Sequence, residues 1–182
     1  DIGPGNCLLD EWIRKNSKLK YDKNGSIAKS GYTDKLILNQ ALENFRIKSY
    51  DKSLDIKDFN VSFVKGLTLE NGASTLLDFT ATLISQAINY FNKLESLPIN
   101  KLLVCGGGRK NVSLMNSIKN EINNHNNISI ENIDKYGIDG DFVESQAFAF
   151  LAIRAYLRLP ISFPNTTRCK SPTVGGVIVK NF

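Results

Sequence analysis

Cysteine and histidine are scarce in this chain of 182 residues, and neither is clustered. The single His125 lies in the polar stretch Asn123 to Asn127. Cys7, Cys105 and Cys169 are far apart, and no Cys-x-x-Cys pair occurs. A zinc site needs grouped His and Cys ligands, so none is expected and no metal-ligating side chain is assigned. Three scattered thiols suit a reduced, cytoplasmic protein better than a disulfide framework. No apolar run approaches the roughly 18 residues a membrane span requires, and no charged-then-apolar leader opens the chain. Charge is not concentrated either: the net charge is +5, the pI is about 9.1, and the lysines are spread out. The densest run, Arg14 to Lys20, reads as a solvated helix end rather than a surface for a nucleic-acid backbone. Internal repeats and low-complexity linkers are also missing. What remains is 42% hydrophobic, enough for one domain with a real core or two small ones.

The first half of the chain reads as mostly helical. Asn6 suits the N-cap of a helix through Leu8, Leu9, Trp12 and Ile13, and Thr33 suits that of a helix carrying Leu36, Ile37, Ala41 and Phe45. Asp22 to Gly31 reads mostly as connection. Phe59 to Leu67 reads as a short helix or an irregular segment. The strongest helical period runs from about Ser74 to Leu94, with Pro98 ending it. The pattern then changes. Lys101 to Cys105 is a short apolar strand that stops at Gly106-Gly107-Gly108, and Val112 to Ile122 is an amphipathic helix. Ile128 to Ile130 is a second strand. Asp141 to Leu157 is a helix apolar on nearly every side, which predicts deep burial. Val174 to Val179 is a last strand. This alternation predicts an α/β layer with Leu102–Val104, Ile128–Ile130 and Val177–Val179 in one sheet, and the two long helices packed on it.

Three motifs could carry chemistry. Gly106-Gly107-Gly108-Arg109-Lys110-Asn111 lies between a strand and a helix, where glycines admit a ligand to the backbone and free N–H groups favour an anion. It is no Walker loop, because G-x-x-x-x-G-K-[ST] is absent. Asn111 stands where a dinucleotide fingerprint needs its third glycine, which weakens the alternative of half a Rossmann-type dehydrogenase. Read alone, the motif also suits a tight turn with no ligand. Asp1-Ile2-Gly3-Pro4-Gly5-Asn6 is a rigid turn that can form an anion nest beside an acidic residue, or a plain terminus before a helix. Asp141 and Glu144 have capping-box spacing; alternatively, Glu144 bonds a substrate hydroxyl or amide.

Taken in order, these segments and those between them resemble one family from end to end. The string is Asp-x-Gly-Pro-Gly-Asn6, then Tyr21-Asp22-x-x-Gly25 with Ala28 and Gly31, then Lys52-Ser53-Leu54-Asp55 with Asp58-Phe59. Cys105-Gly-Gly-Gly-x-x-Asn111 follows, then Glu144-x-Gln146-Ala147-Phe148-Ala149-x-Leu151-Ala152, and finally Leu159-Pro160 and Phe163-Pro164 before a late Gly-Gly turn. This is similar to the C-terminal half of the anhydro-N-acetylmuramic acid kinases. The chain departs from that pattern at Ile2, where Thr is usual, and at Thr166-Thr167-Arg168, where Thr-Gly is usual.

The resemblance implies an α/β, actin-like (ribonuclease H-like) ATPase lobe over residues 1–182. Residues 1–6 would carry the phosphate and catalytic motif, 7–98 a mostly helical part, and 99–182 the α/β nucleotide-binding part. It implies an ATP- and Mg2+-dependent kinase that opens 1,6-anhydro-N-acetylmuramic acid and phosphorylates it to N-acetylmuramic acid 6-phosphate in the cytoplasm, serving cell-wall recycling and amino-sugar use. Asp1 aligns with the general base. Gly3, Gly5, Asn6, Gly106, Gly107, Gly108 and Asn111 would hold the nucleotide and its phosphates, and Glu144 the sugar. The expected partners are the small sugar, the N-terminal lobe with its Gly-Thr-Ser-x-x-Asp-Gly phosphate loop, and in some assemblies a second copy, with no nucleic acid and no membrane. That loop is absent here and the chain opens on Asp1 rather than Met, so an incomplete piece is expected, inactive alone. The competing reading is a non-catalytic nucleotide-binding lobe or a degenerate half-gene product.

Overall fold

The long amphipathic stretch at the centre of the chain becomes the spine on which the other elements pack. The computed structural model describes residues 1–45, 50, 53–94, 99–123 and 128–179. Helix α4 (Leu69–Leu94) buries Leu76, Leu77, Phe79, Leu83, Ala87 and Ile88. It begins ahead of the expected Ser74 because Thr68 caps it: the Thr68 hydroxyl accepts the Asn71 N–H and its carbonyl accepts the Gly72 N–H. Pro98, the expected terminator, lies outside the described residues. Helix α1 (Cys7–Asn16) crosses α4 at Gly72, where an added Cβ would come within 2.5 Å of the Trp12 ring. The indole Nε1–H of Trp12 is satisfied by the Leu69 carbonyl at 2.9 Å, so the ring is buried without an orphan donor.

Two short helices complete this layer. The stretch expected to be connection contains α2 (Ser26–Ser30), and the buried Asp22 carboxylate explains it by accepting the Ile27 and Ala28 N–H groups, both at 2.9 Å. Helix α3 (Lys35–Asn44) is capped by Asp34, which accepts from the Ile37 N–H, and not by Thr33. The Thr33 hydroxyl instead reaches Asp78 at 2.6 Å. Asn6 does occupy the N-cap of α1, but its side chain bonds Asp10 rather than a helix N–H. The described residues between α3 and α4 are irregular apart from short 3-10 turns such as Ser62–Val64.

The expected α/β alternation is present for two strands. β1 (Lys101–Val104) and β2 (Ser129–Asn132) pair in parallel, with Leu102 opposite Ile130. Parallel pairing needs a crossover. Helix α5 (Val112–Asn123) supplies it and buries Leu114, Ile118 and Ile122 in the core shared with α4. Leu102 and Ile130 face that core, while Leu103 on the opposite face is exposed. The protein is therefore α/β, a small parallel sheet flanked by helices.

Two expectations fail beyond β2. Residues 174–179 form no strand; the nearest pairing is an isolated antiparallel bridge between Ser162 and Thr173, and Val177 is 90% exposed. Helix α6 (Val143–Tyr156) buries none of its residues, and Phe148 is 73% exposed. The apolar pattern does cover nearly every side of α6. Burial, however, needs a covering layer, and a two-stranded sheet is too narrow to provide one. Instead α6 is met by the turn that leads into α7 (Pro164–Thr167) and by Gly176, where an added Cβ would lie 3.1 Å from Ala155 Cβ. The Arg154 guanidinium lies over the Phe150 and Phe163 rings at 5.5 and 5.7 Å and donates to the Pro160 carbonyl at 2.6 Å.

Candidate functional site

Two glycine turns, one before α1 and one after β1, meet at a cleft. Gly5 has φ +57, and its carbonyl accepts the Thr80 hydroxyl, which ties the first turn to α4. Gly106 has φ 76 and ψ 179, a conformation open essentially to glycine alone. The chain then makes a 3-10 turn, Gly107–Lys110, and enters α5. A Cβ placed on Gly106 or Gly107 would meet nothing within 4 Å, so this backbone borders open space. The cleft has a volume of about 540 Å³; Gly5, Asn6, Gly106, Gly107, Gly108 and Glu144 all line it.

The remaining expected residues lie in adjoining cavities. Asn111, with Asn6 and Gly107, borders one of about 430 Å³ against Tyr21, Asp22 and Lys23. Its buried side chain caps α5 by accepting the Leu114 N–H at 3.0 Å, so Asn111 shapes the loop. Gly25 (φ +72) packs behind it: a Cβ there would come within 2.3 Å of Asn111 Oδ1 and 2.5 Å of Ser113 Cβ. The Tyr21-to-Gly25 motif is thereby docked on the exit of the glycine loop. Asp1 and Gly3 line a third cavity of about 400 Å³ with Leu54 and Asp55. Asp1 Oδ2 accepts the Leu54 N–H at 2.8 Å, which joins two motifs far apart in sequence. Asp1 and Gly3 thus do not share the cleft of Glu144, although Pro4 and Cys7 border both.

The capping box expected from Asp141 and Glu144 does not form. Phe142 occupies the N-cap position, and the Asp141 carboxylate turns to Arg109 and Lys110. Those two cations push the Asp141 carboxyl down to about 2. Asp134 is also held below the usual carboxylate range, chiefly by its hydrogen bond from Arg109. Asp10 behaves oppositely: partial burial raises its carboxyl, against the pull of Arg14 and the Asn6 amide.

Sequence reading missed Asp10, Thr80 and Arg109, all of which line the cleft. Asp10 could have been found, because it stands four residues after Asn6 on one helix face. Nothing local marked Thr80, or the partners of Arg109. The departure at Arg168 also gains a physical meaning: it sits at φ 58 and ψ 22 after α7, a left-handed position that favours glycine.

Chemically, the cleft combines glycine backbone and two helix starts, which suit an anion, with the carboxylates of Asp10 and Glu144, which suit hydroxyl or amide donors. No helix among the described residues is long and apolar enough to cross a membrane.

A family model described as anhydro-N-acetylmuramic acid kinase matches residues 1–181. A protein of that name from Pelagibacter ubique is 56% identical, aligning with 100% of this chain and 48% of its own length. Namesakes from Rhodospirillum rubrum and Zymomonas mobilis are 38% and 34% identical, over 97% and 98% of this chain and 45% and 47% of theirs. The chain therefore spans about half the length of the curated relatives it matches.

Proposed function

The chain belongs to the anhydro-N-acetylmuramic acid kinase family, and on that premise we propose that it forms the C-terminal, actin-like lobe of an ATP-dependent sugar kinase. The whole enzyme converts 1,6-anhydro-N-acetylmuramic acid, ATP and water to N-acetylmuramic acid 6-phosphate and ADP in the cytoplasm. The observation that carries this reading is the cleft in which Gly5, Asn6, Gly106, Gly107, Gly108 and Glu144 converge. Open backbone at Gly106 and Gly107 admits a polyphosphate without steric conflict. The Mg2+ that accompanies ATP needs only one or two carboxylates besides the phosphates. Asp10 and Glu144 border this cleft, and Asp1 borders the next.

Asp1 is the general base. The Leu54 N–H holds one of its oxygens, leaving the other to orient a water and take its proton. The water oxygen bonds to the anomeric carbon as the bond from that carbon to O6 breaks. O6 then bonds the γ-phosphorus, and ADP leaves. Glu144 orients the sugar through hydroxyl or amide donors. Asn111 holds the glycine loop in shape by capping α5. The remaining half of the polypeptide supplies the phosphate loop and the apolar layer that α6 needs; α6 is fully formed yet uncovered here.

The test is Asp1→Asn in the enzyme of full family length. The amide keeps size and hydrogen bonding but cannot take a proton, so kcat should fall roughly 10²–10⁴-fold. ATP and sugar binding should change much less. Retention of more than about a tenth of the wild-type kcat would remove Asp1 from the general-base role.

A further inference from the structure

Arg109 is more enclosed than a surface arginine has reason to be: its side chain is 5% exposed. Three carboxylates surround it. Nε and Nη2 grip Asp134 side-on at 2.8 and 3.2 Å, Nη1 donates to Asp141 at 2.5 Å, and Asp139 lies 3.8 Å from Nη2. Nη1 also donates to the Gly106 carbonyl at 2.9 Å. Beside these contacts the Gly106 N–H donates to the Gly140 carbonyl at 2.8 Å. Gly140 is shaped to fit, since a Cβ there would come within 2.5 Å of Arg109 Nε. The guanidinium thus clasps the glycine loop to residues 134–141, the segment that runs directly into α6 and Glu144. Because α6 buries nothing against the core, this clasp largely sets where the start of α6 stands relative to the loop. Lys110 adds a second, outer ion pair to Asp141.

We infer that Arg109 is a positioning residue, which fixes Glu144 relative to the Gly106–Gly108 loop by clamping Asp134 and Asp141. This inference rests on the functional reading above, in which the loop holds nucleotide and Glu144 holds sugar. A planar fork suits the task, because one guanidinium reaches both carboxylates and the loop carbonyl together, whereas an ammonium is a single point of contact. A residue that only stabilised the fold would lower the melting temperature without altering kinetics well below it. A positioning residue alters the step that needs both substrates in register.

The experiment pairs hydrogen exchange with kinetics on the full-length enzyme for Arg109→Gln, Arg109→Lys and Asp141→Asn. In Arg109→Gln, exchange across residues 106–108 and 134–144 should quicken at least tenfold, with α1 and α4 unchanged. At a temperature well below melting, kcat should fall at least tenfold and the sugar KM should rise. The ATP dissociation constant should move less than threefold. Arg109→Lys should recover part of kcat, and Asp141→Asn, which leaves the Asp134 pair in place, should lose less than Arg109→Gln. Should Arg109→Gln not fold, the other two variants decide the matter by the same readouts. Unchanged exchange would overturn the clamp. Loosened exchange with kcat and both KM values within twofold of wild type would overturn the positioning role. If the wild-type enzyme neither binds ATP nor phosphorylates the sugar, the functional reading fails and the positioning role fails with it, while the exchange arm still decides the clamp on its own.

Discussion

Gly25 and Gly137 form a matched pair that separates backbone strain from close packing. Their conformations are nearly the same, φ 72 and ψ 24 against φ 74 and ψ 15. Their surroundings are opposite: a Cβ on Gly25 would sit 2.3 Å from Asn111 Oδ1 and 2.5 Å from Ser113 Cβ, whereas one on Gly137 would meet nothing within 4 Å. Replacing either glycine by alanine places an L residue in the left-handed region, at about 1–2 kcal/mol. Both replacements also gain about 0.4–1 kcal/mol by restricting the unfolded chain. These effects cancel in the difference. What remains for Gly25→Ala is overpacking, about 1–3 kcal/mol, together with loss of the Asn111 cap on α5, about 1 kcal/mol if the carboxamide is driven out. The two variants should therefore differ by about 2–4 kcal/mol, Gly25→Ala being the weaker. Urea unfolding of the two variants and the wild type under one buffer condition measures this difference, and at about 2–4 °C per kcal/mol it corresponds to a Tm gap of about 4–16 °C. A difference below about 0.5 kcal/mol would show that Gly25 does not press on Asn111, and that the Tyr21-to-Gly25 motif does not buttress the glycine loop.

Gly107→Val is expected to leave stability nearly unchanged, because its Cβ meets nothing in the protein, while weakening ATP binding at least tenfold; titration calorimetry on a variant with an unaltered melting curve decides it, and an unchanged dissociation constant removes the loop from the nucleotide site. The clamp on Asp141 should depend on acid. Its folded carboxyl is depressed to about 2 from an ordinary 3.8 by Arg109 and Lys110, so its contribution is complete above about pH 5 and is lost as pH falls from 4 towards 2. Exchange at residues 134–141, corrected for its intrinsic pH dependence, should quicken over that window in the wild type and less steeply in Asp141→Asn, where Asp134 alone still titrates against Arg109. Phe148→Ala should cost less than about 0.5 kcal/mol in this chain alone, where the ring is exposed, but about 3–5 kcal/mol in the full-length enzyme if the other half covers α6; equal costs in the two settings would mean that α6 stays uncovered.

The sequence alone carried the parts of this protein set by local periodicity and turn chemistry. Helix α4 was readable from its 3.6-residue apolar period, and β1, the glycine turn and α5 from an apolar run stopped by three glycines. Helix ends were less legible, because Thr68 starts α4 ahead of its periodic run, Asp34 takes the cap expected of Thr33, and Asp22 acts on amides five and six residues away. The motifs pointed to the glycine turns, Asn6 and Glu144, since glycine and asparagine at a strand–helix junction carry their reason with them, but not to Asp10, Thr80 or the apolar residues that also line the cleft. Tertiary structure decided what distance along the chain conceals: that Asp1 meets Leu54, that Asn111 leans on Gly25, and that Arg109 gathers three aspartates. It also decided the fate of α6. An apolar pattern states what a helix needs, and burial depends on a neighbour that the helix's own sequence does not contain.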